Sequence, residues 1–113
     1  DKKLGNMHAY IRKAGQKGAR QDQRLANTLF RYGRKINSKV NFELIKNSWD
    51  RSDHIHFWEQ QIPAITFTQN WDKDFNSVVY HTSQDIVEAL NFNTLYNSFQ
   101  FISGAVVAWS LGL

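Results

Sequence analysis

The chain of 113 residues contains no cysteine, which excludes a disulfide framework and any thiolate metal site. A metal bound here must be held by His, Asp or Glu. No apolar run approaches the roughly 18 residues of a membrane span, and no signal peptide opens the chain, so no membrane partner is expected. The single proline, Pro63, sits near the start of an apolar run, where a missing ladder donor is tolerated. The first residue is Asp1 rather than Met. The chain is therefore expected to be a processed or excised piece of a longer product, and the lack of targeting information says nothing of its location.

Acids are scarce at the beginning. Residues 1–39 hold eleven Lys/Arg against Asp1 and Asp22, a balance of +9, whereas residues 40–113 hold three against eight acids, a balance of −5. Such a split can mark a nucleic-acid surface, but a solvated basic helix face beside an acidic half accounts for it more simply, and no nucleic-acid partner is expected. Hydrophobic content of 42% with 14% aromatics argues for a packed globule, and the length fits one domain burying roughly 65% of its unfolded surface.

Periodicity then divides the chain. In "NMHAYIRK" Met7, Ala9 and Ile11 alternate with polar or amphipathic residues, as in a short strand. "AGQKGA" follows, where Gly15 and Gly18 permit turn geometry. From Asp22 as N-cap, Leu25, Leu29, Tyr32 and Ile36 recur at helical spacing, with Arg24, Arg31, Arg34 and Lys35 on the remaining surface. "VNFELI" alternates Val40, Phe42 and Leu44 like a half-buried strand. Ser52 or Asp53 can cap a short helix bearing Ile55, Phe57 and Trp58. "IPAITFT" has the length and apolarity of a central strand covered on both faces, and a long aromatic-rich loop over roughly 69–84 follows it. A last helix from about Thr94, capped by Asn93, carries Leu95, Phe99, Ile102, Val106 and Trp109 and is apolar almost all round, as expected of a buried helix.

Strands alternating with helices indicate an α/β fold. Ligand sites in such sheets form at the carboxyl ends of strands. "SDH" (52–54) follows the second strand and "YHT" (80–82) the third, so the two clusters are expected on one edge of one sheet. His81 is the best single metal-ligand candidate, a loop imidazole with Tyr80, Thr82 and Asp85 beside it. By spacing alone, a lone loop histidine is more often a capping or surface group. His54 and His56 do not share a helix face, and Ser52, Asp53 and His54 are too close in sequence for a serine-hydrolase triad in its usual geometry. His8 reads as structural.

The ordered set "RSDHIHFWEQQIPAITFT", "DFN", "YHTSQD" and the closing apolar helix resembles the C-terminal half of the family 28 zinc metallopeptidases, the co-catalytic di-zinc aminopeptidases related to glutamate carboxypeptidase and the glutaminyl cyclases. Ser52, Asp53, His54, Phe57, Ile62, Pro63, Ala64, Phe75, Asn76, His81, Thr82 and Asp85 match its pattern in order. The match covers residues 49–113 well, and "DKKLGNMHAYI" is more weakly similar to the segment after a strand that carries a ligand Asp.

The resemblance implies part of a three-layer α/β/α sandwich with a mixed sheet, upstream strands absent, forming one incomplete domain over 1–113. It implies that His81 binds one of two zinc ions whose other ligands lie outside this chain. Ser52, Asp53 and His54 would line the site, and Phe75 and Tyr80 would wall a substrate pocket. Trp49 would stand where some members place a tyrosine; an indole there donates one hydrogen bond but is no acid. The implied activity is release of N-terminal residues from peptides in a secreted or periplasmic setting. This chain would contribute no catalytic residue and be inactive alone, associating with the missing half or with itself through an exposed sheet edge. The alternative is a non-catalytic binding or scaffold domain on a peptidase-like fold.

Overall fold

The computed structural model describes residues 7–70, 81–84, 86 and 91–113. Its elements run β1 (Met7–Ile11), α1 (Ala19–Ile36), β2 (Phe42–Lys46), α2 (His54–Glu59), β3 (Thr66–Gln69) and α3 (Phe92–Ser110). The three strands form a mixed sheet in the order β2-β1-β3, with β2 parallel and β3 antiparallel to β1. The fold is α/β. The centre of the described sheet is β1, four of whose five residues are buried. The apolar run expected to be central instead supplies β3, an edge of the described sheet, half-buried along its whole length. An apolar run of strand length reports burial, and here that burial comes from α1 and α3 on one face rather than from layers on both.

One sheet face meets α1 and α3. Ala9, Phe30, Val40, Phe42 and Phe101 form the buried cluster, with Met7, Leu44, Ile65, Phe67 and Ile102 packed against it. Phe42 is the hub, its ring centroid 5.0 Å from Phe67 and 5.2 Å from Phe101. The helices approach closely because Gly33 of α1 has no side chain: a Cβ there would collide with the Phe101 ring. Where α1 ends, Asn37 donates through Nδ2 to Asn97 Oδ1 (2.8 Å) and Gln100 Oε1 (2.9 Å).

Two helix faces differ from the periodicity reading. In α1 the buried positions are Ala19, Asp22, Ala26, Leu29, Phe30 and Gly33, while Ile36 is largely exposed. The start of α1 is Gly18 at φ 88°, not Asp22, which lies one turn inside. Leu29 and Phe30 are buried beside small residues and one acid, and the absent side chain of Gly33 lets α1 approach Phe101 closely. In α3 the cap is Asn91, whose side chain accepts from Thr94 N at 3.1 Å. The buried face is Thr94, Asn97, Ser98, Phe101 and Ala105, and the Leu95, Phe99, Val106 and Trp109 stripe faces outward.

The other sheet face carries His8 and Tyr10, both buried, because alternate residues of a strand point to opposite sides. His8 Nδ1 lies 3.0 Å from the Tyr10 hydroxyl and its Nε2 3.5 Å from Glu43. Trp49 stacks on Tyr10 at 5.1 Å between centroids. No described helix is long and apolar enough to cross a membrane.

Candidate functional site

Three pieces of chain converge beyond the carboxyl end of β1. Arg12, the next residue, is buried with its guanidinium on Asp22 of α1: Nε to Oδ2 and Nη2 to Oδ1 are both 2.8 Å. Arg12 N also donates to Asp22 Oδ2 at 3.1 Å, and Arg12 Nη1 to the Lys17 carbonyl at 2.9 Å. Hydrogen bonding to Asp22, aided by its charge, outweighs desolvation and holds Arg12 above its ordinary pKa. The guanidinium rests over Trp58 of α2, 5.6 Å from the ring centroid. A forked, two-bond contact of this kind fixes direction as well as distance.

The same carboxylate reaches the segment entering β3. Ala64 N donates to Asp22 Oδ1 at 3.1 Å, and Trp58 Nε1 donates to the Ala64 carbonyl at 3.0 Å. Both polar groups of Ala64 are thereby committed, and the Ile62-Pro63-Ala64 stretch is held against α2. A cleft of about 540 Å³ opens there, between Ser52, His54 and Phe57 on one side and the segment 62–67 on the other. Its walls are mainly apolar, and Phe57 and Ile62 are each about half exposed.

His54 closes one end of this cleft and is buried. Its ring lies parallel to Trp49 at 5.8 Å and edge-on to Trp58 at 4.4 Å. Its Nε2 bonds the Trp49 carbonyl, and since a carbonyl only accepts, Nε2 is the donor there. Among the described residues its buried Nδ1 has no partner. The imidazole is thus a packed member of the Tyr10–Trp49–His54–Trp58 series.

The seven residues singled out from the sequence fare differently. Ser52 and His54 line the cleft. Asp53 stands at the N-cap position of α2 with no side-chain capping bond and is exposed. Trp49 is half-buried and sandwiched between Tyr10 and His54. His81 is exposed in a turn at φ 59°, a left-handed conformation. Phe75 and Tyr80 lie outside the described residues, as does Asp85.

The expectation that both motifs leave one sheet edge does not hold. Because β2 is parallel to β1, its carboxyl end lies beside Ile11; because β3 is antiparallel, its carboxyl end lies beside Met7. The loops after β2 and β3 therefore start from opposite edges. The rule about carboxyl ends holds for parallel strands, and alternation in a sequence carries no strand direction.

Among the described residues no group of three or more His, Asp or Glu is placed to hold a metal ion. A catalytic zinc takes three protein ligands, so the described residues do not fit one by themselves, and His81 offers a single imidazole. The residues that periodicity missed are Arg12 and Asp22. Each stands out locally, one acid early in a basic helix and one arginine ending an apolar strand, but nothing local pairs them.

The family model described as peptidase family M28 matches residues 4–106. No curated protein and no solved structure matches the chain.

Proposed function

The chain belongs to peptidase family M28, and from that premise we propose that it is the C-terminal part of a zinc-dependent, co-catalytic di-zinc aminopeptidase that removes N-terminal residues from peptides. The chain is a peptidase-like domain of a hydrolase family. What supports the finer reading is the ordered pair "SDH" at 52–54 and "YHT" at 80–82 within the matched span. In this reading His81 supplies one zinc ligand and the remaining ligands come from outside the chain. When bound, zinc polarises the scissile carbonyl.

The chain's own residues orient substrate. The cleft beside Ser52, His54 and Phe57 has the apolar walls that suit an apolar peptide side chain, and the Ser52 hydroxyl offers a hydrogen bond at its rim. His54 holds the wall through Trp49 and transfers no proton. In this reading Phe75 and Tyr80 are substrate-pocket residues by the family resemblance alone, the missing half of the domain supplies the rest of the site, and the chain alone is inactive.

The test is zinc affinity and leucyl-anilide hydrolysis, measured on this chain, on a longer parent and on the parent carrying His81→Ala. Tight zinc binding and hydrolysis by the parent, both lost in His81→Ala, support the reading. A parent that neither binds zinc nor hydrolyses the anilide refutes it.

A further inference from the structure

Pro63 has no N–H to give, and the β1–β3 register ends at Tyr10 opposite Thr66, so residues 62–65 reach β3 from outside the ladder. Two bonds to α2 hold them there. Ile62 N donates to the Phe57 carbonyl at 2.9 Å, across a turn in which Gln61 takes a left-handed φ of 60°. Past the proline, Trp58 Nε1 donates to the Ala64 carbonyl at 3.0 Å. Phe57 lines one wall of the cleft, and Ile62 and Ala64 line the other. Both bonds therefore tie wall to wall.

The ties differ in what directs them. The first joins backbone to backbone and follows from the turn. The second depends on a side chain that is buried and does not itself line the cleft. The Trp58 ring stands edge-on to His54 at 4.4 Å, with the Arg12 guanidinium over it at 5.6 Å. Arg12 is forked onto Asp22, and Asp22 Oδ1 accepts from Ala64 N. The contacts close a circuit from Asp22 through Arg12 and Trp58 to Ala64 and back to Asp22. An indole held by a cation and an imidazole has its N–H direction fixed, and that direction places the Ala64 carbonyl. Filling the space would need no N–H.

We propose that Trp58 is a positioning residue of the peptidase site: its Nε1–H sets the separation of the two cleft walls and so the fit of a large apolar first side chain of the substrate. The inference rests on the cleft being the substrate pocket. In that reading the walls meet the substrate's side chain and not its scissile carbonyl. Their contacts are then the same in the ground and transition states, so their loss appears in KM and not in kcat. A leucyl side chain reaches both walls, whereas an alanyl methyl does not, so the loss falls on the larger substrate.

The experiment is leucyl- and alanyl-anilide hydrolysis by a longer parent carrying Trp58→Phe. A second parent has Trp58 replaced by benzothienylalanine, which keeps the ring volume and lacks the N–H, so the test stands even if Trp58→Phe does not fold. For the leucyl substrate KM should rise about three- to tenfold, the effect of one lost hydrogen bond, with kcat, zinc affinity and the alanyl KM within about twofold. In the 113-residue chain, the same replacements should speed hydrogen exchange at the Ala64 amide about tenfold while β1 amides stay protected. Trp109→Phe, at an exposed position of α3, should change neither. An equal rise in KM for both anilides, an unchanged KM, or a joint fall in kcat and zinc affinity overturns the proposal and leaves the peptidase reading standing. A natural parent that hydrolyses neither anilide overturns the peptidase reading, and the proposal with it.

Discussion

Asp22 is fully buried, and four donors converge on its two oxygens: Arg12 N, Arg12 Nε, Arg12 Nη2 and Ala64 N. Asp22→Ala removes every acceptor at once. It leaves a buried guanidinium without its counter-charge and two backbone N–H groups without partners. Breaking a buried ion pair from one side costs about 3–5 kcal/mol, a large part of the roughly 5–15 kcal/mol that holds a domain of this size together. The corresponding fall in melting temperature is on the order of 10–25 °C. Asp22→Asn keeps one acceptor and no charge, and should fall between the two.

A chemically matched control separates pair energy from packing. Arg12→Met with Asp22→Leu removes both charges and leaves the Arg12-position and Ala64 amides unpaired, each costing about 1–3 kcal/mol if water does not reach it, while the Lys17 carbonyl loses its donor on an exposed residue. The double variant should therefore be more stable than Asp22→Ala. Urea unfolding followed by tryptophan fluorescence is the assay, since Trp58 touches both the guanidinium and Ala64. If Asp22→Ala lies within about 0.5 kcal/mol of the natural chain, as an ordinary surface substitution does, the clamp does not hold the fold.

Gly33→Ala should cost about 1–3 kcal/mol by overpacking against Phe101, whereas Gly15→Ala, with open space around it at φ 88°, meets only the left-handed penalty of roughly 1–2 kcal/mol; chemical denaturation of the pair checks the difference. Arg12 has its pKa raised by folding, so its contribution is complete below the unfolded value and is lost only as pH rises through the still higher folded value; the melting-temperature gap between the natural chain and Arg12→Met should be flat from pH 6 to 10. His81→Gly, at an exposed left-handed position, should stabilise by a few tenths to about 1 kcal/mol while removing the proposed zinc ligand, which thermal melts beside zinc titration distinguish. With no native cysteine, spin labels at Ser52 and Thr82 report directly on the single-site reading, which expects a separation shorter than a five-residue strand, roughly 17 Å; a longer one detaches His81 from the cleft.

Legibility followed the range of the signal. The strand at 7–11, the turn glycines Gly15 and Gly18, the strand around Phe42 and Leu44, and the short helix after Asp53 were all readable, because each rests on local alternation or local backbone freedom. The packed faces of α1 and α3 were not. Periodicity assumes that large apolar residues face inward, whereas the α1–α3 contact includes Gly33 and Phe30 against Phe101 and the Asn37–Asn97 bond, and Leu95, Phe99, Val106 and Trp109 of α3 stand exposed. Asp22 looked like a cap because an acid near a helix start usually is one. Its role depends on Arg12 and Ala64, ten residues before and 42 after it, and no local pattern reports a partner at that distance.

The order of the motifs and the direction of the strands supply separate constraints on the site. Ser52–His54 and His81 match the family pattern in sequence order, and order along a chain is blind to which edge of a sheet each loop leaves. The strand directions are not blind to it: β2 and β3 end at opposite edges. A site containing both motifs needs residues 71–80 to bring His81 back along the length of β3. Four strand residues span roughly 13 Å, and ten residues reach at most about 33–36 Å, so the return lies within the chain's reach but is not imposed by the sheet. The cleft has no such dependence. Its floor is fixed by Asp22 and Trp58 on Ala64 and its end by His54 on Trp49, all within the described residues. The cleft is therefore a property of the described fold, whereas the place of His81 relative to it depends on the loop that follows β3.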